Sequence, residues 1–279
     1  MRGVKIRTWS PVTLAVCLAC LLLPGRSTAD DGPDYFNFDD LFMSAVKMKK
    51  PRTLFIIPRY YNLKGMFDDD RRWNSLGGTS QAMVTAGFRV EVNSRLELAA
   101  YSSFSHFKSR YNPGSGIGES WVRIKFKPLS RLPLAVRLAG RHPGDASLWQ
   151  HNPLTKAVDL SLLWEKSAAS WALNLASGYR LRFSGLRYEP GPEVHTLAEF
   201  SLREDITGVS VGLLGHYGFA GKFDGAAAPD TYGYLLTLAL RYFYAVDPRI
   251  RYNAGFLYDM AGRNRMGGFV FSASAMVDF

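Results

Sequence analysis

The sequence predicts an all-β fold, a transmembrane antiparallel β-barrel of about 12 strands. Three observations predict it. Apolar and polar residues alternate along successive segments, short and long connections alternate between those segments, and the chain ends in such a segment at Phe279. Beyond residue 29 the sequence has no run of about 18 apolar residues, which excludes helical membrane spans. A single domain, residues 51–279, accommodates the whole alternating region.

The first residues predict export from the cytoplasm. Basic residues precede an apolar run over residues 12–23, and Ser27, Thr28 and Ala29 are small residues that suit a cleavage site. This order is typical of a secretory signal peptide, which we assign to residues 1–29. An apolar run of about a dozen residues is too short to span a bilayer as a helix, for which about 20 are needed.

Residues 30–50 form a separate segment between the signal peptide and the barrel. Apolar residues from Phe38 to Met48 have roughly helical spacing, and they follow Asp39 and Asp40, which favour a helix start. We therefore predict a short helix. The sequence leaves open whether this helix lies in the periplasm, which we favour, or plugs the barrel lumen.

Composition limits the chemistry of the exported chain. Cys17 and Cys20 both lie in the signal peptide, so the mature chain has no thiol for a disulfide or a thiolate metal site. The full chain has a formal charge of +10, and the mature chain stays mildly basic without the four basic residues of the signal peptide. The basic residues are scattered singly along strands, and an exported protein rarely meets nucleic acid, so nucleic acid is excluded as a partner.

The last segment shows the alternation most clearly. Odd positions from Phe269 to Phe279 are apolar, whereas Ser272, Ser274 and Asp278 lie on the opposite parity. Upstream segments repeat this pattern, and their second parity carries arginine, lysine, aspartate and asparagine. Such residues would occupy the core of a soluble β-sandwich, where unpaired charges are costly. In a membrane barrel the same parity faces a polar lumen.

The polar parity defines the candidate pore-lining residues. They are Arg89, Arg123, Lys125, Arg137, Arg141, Arg180, Arg182, His195, Glu199, Arg203, His216, Arg241 and Arg251. Acidic residues of this parity are fewer, so we predict a positive lumen that prefers anions. Arg180 and Arg182 approach the outer mouth and are the first residues that a solute is expected to meet. The alternative is a fully paired network that braces the wall and blocks the pore.

The connections distinguish the two ends of the barrel. Short turns lie at residues 93–95, 128–132, 166–169, 204–207 and 247–248, and longer polar stretches at residues 64–80, 108–118, 142–156, 184–192, 222–231 and 262–266. Outer-membrane barrels have short periplasmic turns and longer external loops. The even number of strands predicts that both termini lie in the periplasm. Pro58 predicts an irregularity or bulge in the first strand, because proline cannot donate to the ladder.

Other clusters carry weaker functional signals. Residues 114–118 resemble a phosphate-binding loop, but a strand follows instead of a helix, so we interpret them as a loop end. Three aspartates at residues 68–70 offer the oxygen ligands that Ca²⁺ prefers, but the two arginines that follow favour a solvated loop. The histidines form no triad-like cluster with a nucleophile, so we predict no enzyme activity, metal or cofactor.

Three segments resemble known outer-membrane proteins. The alternation that closes on Val277-Asp278-Phe279 resembles the assembly signal of outer-membrane barrels. Residues 87–98 and 116–126 resemble the strand–turn–strand and the glycine-rich loop of an outer-membrane transporter family named for the meta-pathway of phenol degradation, although Glu119 stands where that family has aspartate. The resemblance implies a channel for small, often hydrophobic or aromatic compounds and transfers no catalytic residue.

Together these observations predict a porin-like channel in a Gram-negative outer membrane, for passive uptake or export of small solutes. Anionic and aromatic compounds are the candidate solutes. The expected partners are outer-membrane lipid, the barrel-assembly machinery and the solute itself. Two alternatives stay open: a lumen-filled barrel that acts as a structural or adhesive protein through its external loops, and a lipid-modifying enzyme. The sequence does not define the oligomeric state.

Overall fold

The computed structural model describes residues 52–67, 70–108, 114–129, 132–142, 156–183, 188–204, 206–228, 232–247 and 249–279. The predicted signal peptide and the segment at residues 30–50 lie outside these ranges. Among the described residues, no helix is long and apolar enough to cross a membrane.

Fifteen strands form in the described part of the chain. They are β1 (Arg52–Phe67), β2 (Trp73–Asn93), β3 (Leu96–Lys108), β4 (Gly114–Phe126), β5 (Leu134–His142), β6 (Lys156–Ser167), β7 (Trp171–Phe183), β8 (Tyr188–Glu189), β9 (Glu193–Glu204), β10 (Thr207–Gly218), β11 (Gly221–Phe223), β12 (Ala226–Ala228), β13 (Gly233–Ala245), β14 (Ile250–Arg263) and β15 (Arg265–Asp278). Twelve of these strands close into one antiparallel barrel, and the other three form a small sheet in the order β12-β11-β8. The predicted all-β barrel is confirmed.

Barrel closure joins the two ends of the described chain. β1 pairs with β2 on one side and with β15 on the other, from Thr53 opposite Asp278 to Phe67 opposite Arg265. Elsewhere the barrel strands pair in chain order. β7 pairs with β9 and β10 pairs with β13, because β8, β11 and β12 belong to the small sheet and not to the barrel. A closed barrel has no edge strand, which is what allows a sheet to span a membrane.

The two faces of the wall differ as the alternation predicts. Leu54 is 51% exposed and Phe88 is 49% exposed on the outer face, whereas their sequence neighbours Thr53 and Arg89 are buried on the inner face. The other barrel strands repeat this arrangement, with aliphatic and aromatic side chains outside and most of the charged side chains inside. An apolar exterior around a polar interior requires lipid around the wall. The fold is therefore that of an outer-membrane β-barrel.

The two ends of the barrel differ in their connections. We call the end that holds Arg52 and Phe279 the turn end, where short connections include residues 94–95, 168–170 and 246–249. We call the opposite end the loop end. There β5 ends at His142 and β6 begins at Lys156, and the short strands of the small sheet follow β7 and β10 in the chain. The predicted separation of short turns from longer connections holds for these segments.

Two of the predicted long loops are largely strand instead. Phe67 pairs with Trp73, so β1 and β2 continue through most of residues 64–80. Only Asn264 separates β14 from β15 in the predicted loop at residues 262–266, and its φ of 50° is a left-handed conformation that asparagine tolerates. Both loop predictions were wrong because the strands keep their pairing here although the apolar–polar alternation in the sequence is lost.

Three further local predictions need correction. Residues 222–231 contain the hairpin of β11 and β12, whose turn residues Asp224 and Gly225 have φ of 50° and 81°, as in the two-residue turns that Asp-Gly favours. Residues 114–118 are not a loop end, because β4 starts at Gly114. Pro58 causes no register shift; the irregularity in β1 lies between Leu63 and Gly65.

Candidate functional site in the barrel lumen

All the candidate pore-lining residues lie on the inner face of the wall. The buried ones are Arg89, Lys125, Arg137, Arg141, His195, Glu199, Arg241 and Arg251. The half-buried ones are Arg123, Arg180, Arg182, Arg203 and His216. The structure does not gather them into one site. It divides them between a cluster near the loop end, separate ion pairs along the wall, and a network at the turn end.

Asp159 on β6 is the centre of the loop-end cluster. Its side chain is 0% exposed. Ser161 Oγ donates to Asp159 Oδ1 at 2.5 Å, Arg180 Nε donates to Oδ2 at 3.1 Å, and Arg137 Nη2 lies 3.4 Å from Oδ1. A carboxylate without water is costly unless cations and hydrogen bonds surround it. Asp159 has both, supplied by β5, β6 and β7.

His195 on β9 reaches the same carboxylate across β7. Its Nε2 lies 3.4 Å from Asp159 Oδ2. Gly178 on β7 pairs with His195 on one side and with Ser161 on the other, and a Cβ at Gly178 would lie within 2.6 Å of Ser161 Oγ and would also collide with His195 Nε2. The missing side chain at Gly178 is therefore what lets the imidazole lie over β7.

Replacing Gly178 by alanine is expected to cost about 1–3 kcal/mol of unfolding free energy, as overpacking of a tight interior does. The added methyl group must displace His195 or Ser161. Gly140→Ala is the matched control, because a Cβ at Gly140 meets no atom within 4 Å. Denaturant titrations of both variants test this expectation. Equal midpoints for the two variants would contradict the packing argument.

A second carboxylate, Glu193, begins β9 and extends the cluster toward the loop end. Glu193 Oε1 lies 3.4 Å from Arg180 Nη1 and 3.0 Å from His216 Nδ1, and Oε2 lies 3.5 Å from Arg182 Nη1. Arg182 Nε also donates to the carbonyl oxygen of Gly191 at 2.9 Å. Glu193 was not predicted from the sequence as a lumen residue, because Pro190 and Pro192 suggested a loop. Its shared parity with His195 was the available signal.

Arg180 links this cluster to an aromatic group on the far side of β5 and β6. Its Cζ lies 5.5 Å from the ring centroid of Trp121 on β4, within the range of a cation–π contact. Arg123 and Arg141 also face this ring, each at 5.8 Å. Tyr101 stacks on Trp121 at 6.3 Å between centroids. Arg180 on β7 therefore contacts residues of β4, β6 and β9 across the interior. Trp121 is a lumen residue that was not predicted from the sequence.

Three further lumen cations are in ion pairs along the wall. Lys125 Nζ lies 3.0 Å from Glu97 Oε2, Arg141 Nε 3.0 Å from Glu119 Oε2, and Arg241 Nη1 3.3 Å from Glu199 Oε1. Arg203 donates to the carbonyl oxygen of Ala169 in the turn after β6. Each pair joins neighbouring or nearby strands and braces the wall.

An apolar belt interrupts the charged lining. It consists of Ala135, Leu163, Ala176, Leu197, Ala239 and Leu257, with Leu214 and Val270 packed against them. Ala135–Leu163, Leu163–Ala176 and Ala176–Leu197 are cross-strand partners, so the belt follows the wall from β5 to β9. Inward apolar residues are an unexpected part of the lumen. Hydrophobic sections of this kind resist wetting in channels.

The turn end holds a hydrogen-bonded network across the seam that closes the barrel. Arg251 Nη2 on β14 lies 3.1 Å from both carboxylate oxygens of Asp278 on β15. Thr53 Oγ1 on β1 donates to Asp278 Oδ1 at 2.7 Å, and Arg89 Nη2 on β2 donates to Thr53 Oγ1 at 3.1 Å. We call these four residues the seam network. They connect four consecutive strands around the first and last strands of the barrel.

The loop end also carries a cavity of about 340 Å³ between the barrel rim and the small sheet. Its lining residues are Arg182, Phe183, Glu189, Pro190, Gly191, Pro192, Ala220, Gly221 and Lys222. Arg182 therefore lies between this cavity and Glu193.

No metal site is evident in the described residues, where no group of three or more histidine, cysteine, aspartate or glutamate side chains is placed to hold an ion. The calcium alternative at residues 68–70 falls largely outside the described ranges. His106 and His142 lie on the outer face, away from the lumen cluster. His195, Ser161 and Asp159 are neighbours, but the Ser161 hydroxyl donates to Asp159 and not to His195, so these side chains lack the serine–histidine hydrogen bond of a hydrolytic triad.

The fold and the charged lumen define an outer-membrane β-barrel. No protein-family model and no curated protein matches the chain. An outer-membrane channel from Pseudomonas putida F1 matches with a TM-score of 0.68 at 12% identity, over 86% of this chain and 100% of the channel. The translocator domain of the autotransporter NalP from Neisseria meningitidis matches with a TM-score of 0.52 at 10% identity, over 84% and 90%. At these identities the likeness shows the fold alone.

Proposed function

We propose that the protein is a passive outer-membrane channel for small solutes that favours anions, and that the loop-end cluster is its selective section. One observation carries this proposal. Three guanidinium groups, on Arg137, Arg180 and Arg182, share the two carboxylates of Asp159 and Glu193. Three guanidinium groups against two carboxylates leave the cluster net positive. Positive charge inside a narrow, low-dielectric passage raises the local concentration of anions and penalises cations.

The distances support exchange of partners in this cluster. Arg182 contacts Glu193 at 3.5 Å, and Arg180 contacts it at 3.4 Å, longer than the roughly 2.7–2.9 Å of strong charged hydrogen bonds. A solute carboxylate or phosphate can therefore compete with Glu193 for these guanidinium groups. The cavity beside Arg182 gives such a solute room at the loop end.

The selectivity can be measured in planar bilayers containing the mature protein. The reversal potential across a salt gradient is expected to show anion preference. Arg182→Gln should move the reversal potential toward cation selectivity, because the cluster loses one charge. Arg95→Gln is the matched control, since Arg95 is an exposed turn residue outside the lumen, and it should leave selectivity unchanged. Cation preference in the unaltered channel, or equal behaviour of both variants, contradicts the proposal.

A lumen-filled structural or adhesive barrel is the second candidate. The buried ion pairs and the apolar belt favour it, because they occupy the interior with side chains. The same bilayer experiment separates the two functions. A correctly folded barrel that never conducts supports the filled barrel and rules out the channel.

A further inference from the structure

The cavity at the loop end has a preformed wall. Gly191 lies so close to the chain between β10 and β11 that a Cβ there would collide with the carbonyl oxygens of Phe219 and Ala220. The backbone N–H of Phe219 donates to the carbonyl oxygen of Pro192 at 2.9 Å, and Arg182 Nε donates to that of Gly191 at 2.9 Å. These contacts hold the loop after β8 in place. The cavity volume of about 340 Å³ falls within the range of small-molecule sites, about 300–1,000 Å³.

Three charged side chains line this cavity, on Glu189 of β8, Lys222 of β11 and Arg182 of β7. Glu189 and Lys222 are cross-strand partners, so their Cβ atoms are about 5 Å apart on one face of the small sheet. Both residues are exposed, and within the described part of the chain neither side chain forms an ion pair. Arg182 contacts Glu193 at the long distance of 3.5 Å. The wall therefore presents a carboxylate and an ammonium group side by side, with a guanidinium group nearby.

The charges of this wall favour a solute that carries both signs. A simple anion would contact Lys222 but would also lie beside Glu189, and a simple cation would meet the reverse arrangement. A like charge placed in this way rejects the wrong ligand. A zwitterion with its ammonium and carboxylate groups on the same carbon matches neighbouring charges of opposite sign. The rest of the lining includes the apolar side chains of Phe183, Pro190 and Pro192, which suit an apolar remainder of the solute.

We infer that this cavity binds α-amino acids with aliphatic side chains. Glu189 binds the ammonium group of the amino acid, and Lys222 and Arg182 bind its carboxylate. At neutral pH a free α-amino acid carries both charges, and hydrogen bonds between charged groups are the strong ones. The cavity lies beside the cluster that we propose as the selective section of the channel. Binding in the cavity is nevertheless independent of whether the barrel conducts.

Isothermal titration calorimetry of the purified mature barrel, in a neutral detergent at neutral pH, tests this inference. The probe is leucine, compared with isocaproate, which lacks the ammonium group, isoamylamine, which lacks the carboxylate, and glycine, which lacks the side chain. We expect leucine to bind at least about tenfold more tightly than either singly charged analogue, since each loses a hydrogen bond between charged groups. E189Q should weaken leucine binding about tenfold and strengthen isocaproate binding, because the repelling carboxylate is gone. K222Q should weaken the binding of both.

The matched controls make the same two charge changes at the turn end. K166Q and E204Q alter exposed residues there and should bind leucine as the unaltered barrel does. Heat-modifiable migration on gels shows that each variant is folded. The inference is overturned if leucine does not bind, if isocaproate or glycine binds as tightly as leucine, or if E189Q and E204Q behave alike. Leucine binding to a barrel that carries no current would support this inference and rule out the proposed channel.

Discussion

Replacing Asp159 by alanine is expected to lower the free energy of unfolding by about 3–5 kcal/mol, the usual cost of removing one partner of a buried ion pair. Arg137 and Arg180 would both lose their contact with this carboxylate, and Ser161 would lose its acceptor. Denaturant unfolding of the folded barrel, followed by heat-modifiable migration, measures the loss. Glu204→Ala is the control, because Glu204 is an exposed carboxylate at the turn end and should change stability by no more than about 0.5 kcal/mol.

A second variant separates charge from packing at Asp159. If the loss comes from uncompensated guanidinium charge, Asp159→Leu combined with Arg180→Met should recover part of it, since apolar residues of similar volume often replace buried ion pairs without cost. Additive losses in the double variant would show that the two residues act separately. Asp159 would then not be the energetic centre of the loop-end cluster.

The alternation in the sequence predicted that the charged side chains lie on the inner face of the wall, but it did not predict the apolar belt. It works because every second residue of a strand points the same way, and the membrane makes the two faces chemically different. The ion pairs were not predictable in the same way. Asp159 binds Arg180 across the β6–β7 hairpin, but it also contacts His195 over β7, and that contact depends on the absence of a side chain at Gly178.

Residues near the barrel ends were the hardest to predict. Glu193 lies among prolines and glycine, so composition suggested a loop although the residue begins β9. Trp121 shares the inward parity of Arg123, but a tryptophan in a membrane barrel suggests the lipid boundary more readily than a lumen contact with three arginines. In both cases the role of the residue depends on the side chains that it contacts, and these lie elsewhere in the sequence.

At the end of the chain, too, the position of a residue was predictable from the sequence and its contacts were not. Phe279 is 62% exposed on the outer parity, and its backbone N–H donates to the carbonyl oxygen of Arg52 at 3.1 Å. Its outward position was predicted from the alternation. The neighbouring Asp278 received no role in the sequence analysis, yet it is the residue that joins β14, β15 and β1 at the closing seam.

Replacing Asp278 by alanine is expected to destabilise the closed barrel by about 3–5 kcal/mol, because Arg251 would keep a buried charge without this carboxylate. Thr53 would also lose its acceptor, and the Thr53–Asp278 pair is the last pair of the seam between β1 and β15. Refolding into detergent micelles, with unfolding followed in denaturant, measures the change. The charge-free variant Asp278→Asn should lose most of the same stability if the charge matters more than the hydrogen bond.

Phe279→Ala is the informative comparison for Asp278→Ala, because the two residues are neighbours on opposite faces of the wall. Phe279 faces lipid and resembles an assembly signal, so its loss should lower outer-membrane levels in cells with a smaller effect on refolding in detergent. Asp278→Ala should show the reverse, a less stable barrel after refolding without any assembly machinery. An unchanged unfolding midpoint for Asp278→Ala would mean that strand pairing alone closes the barrel and that the seam network adds no stability.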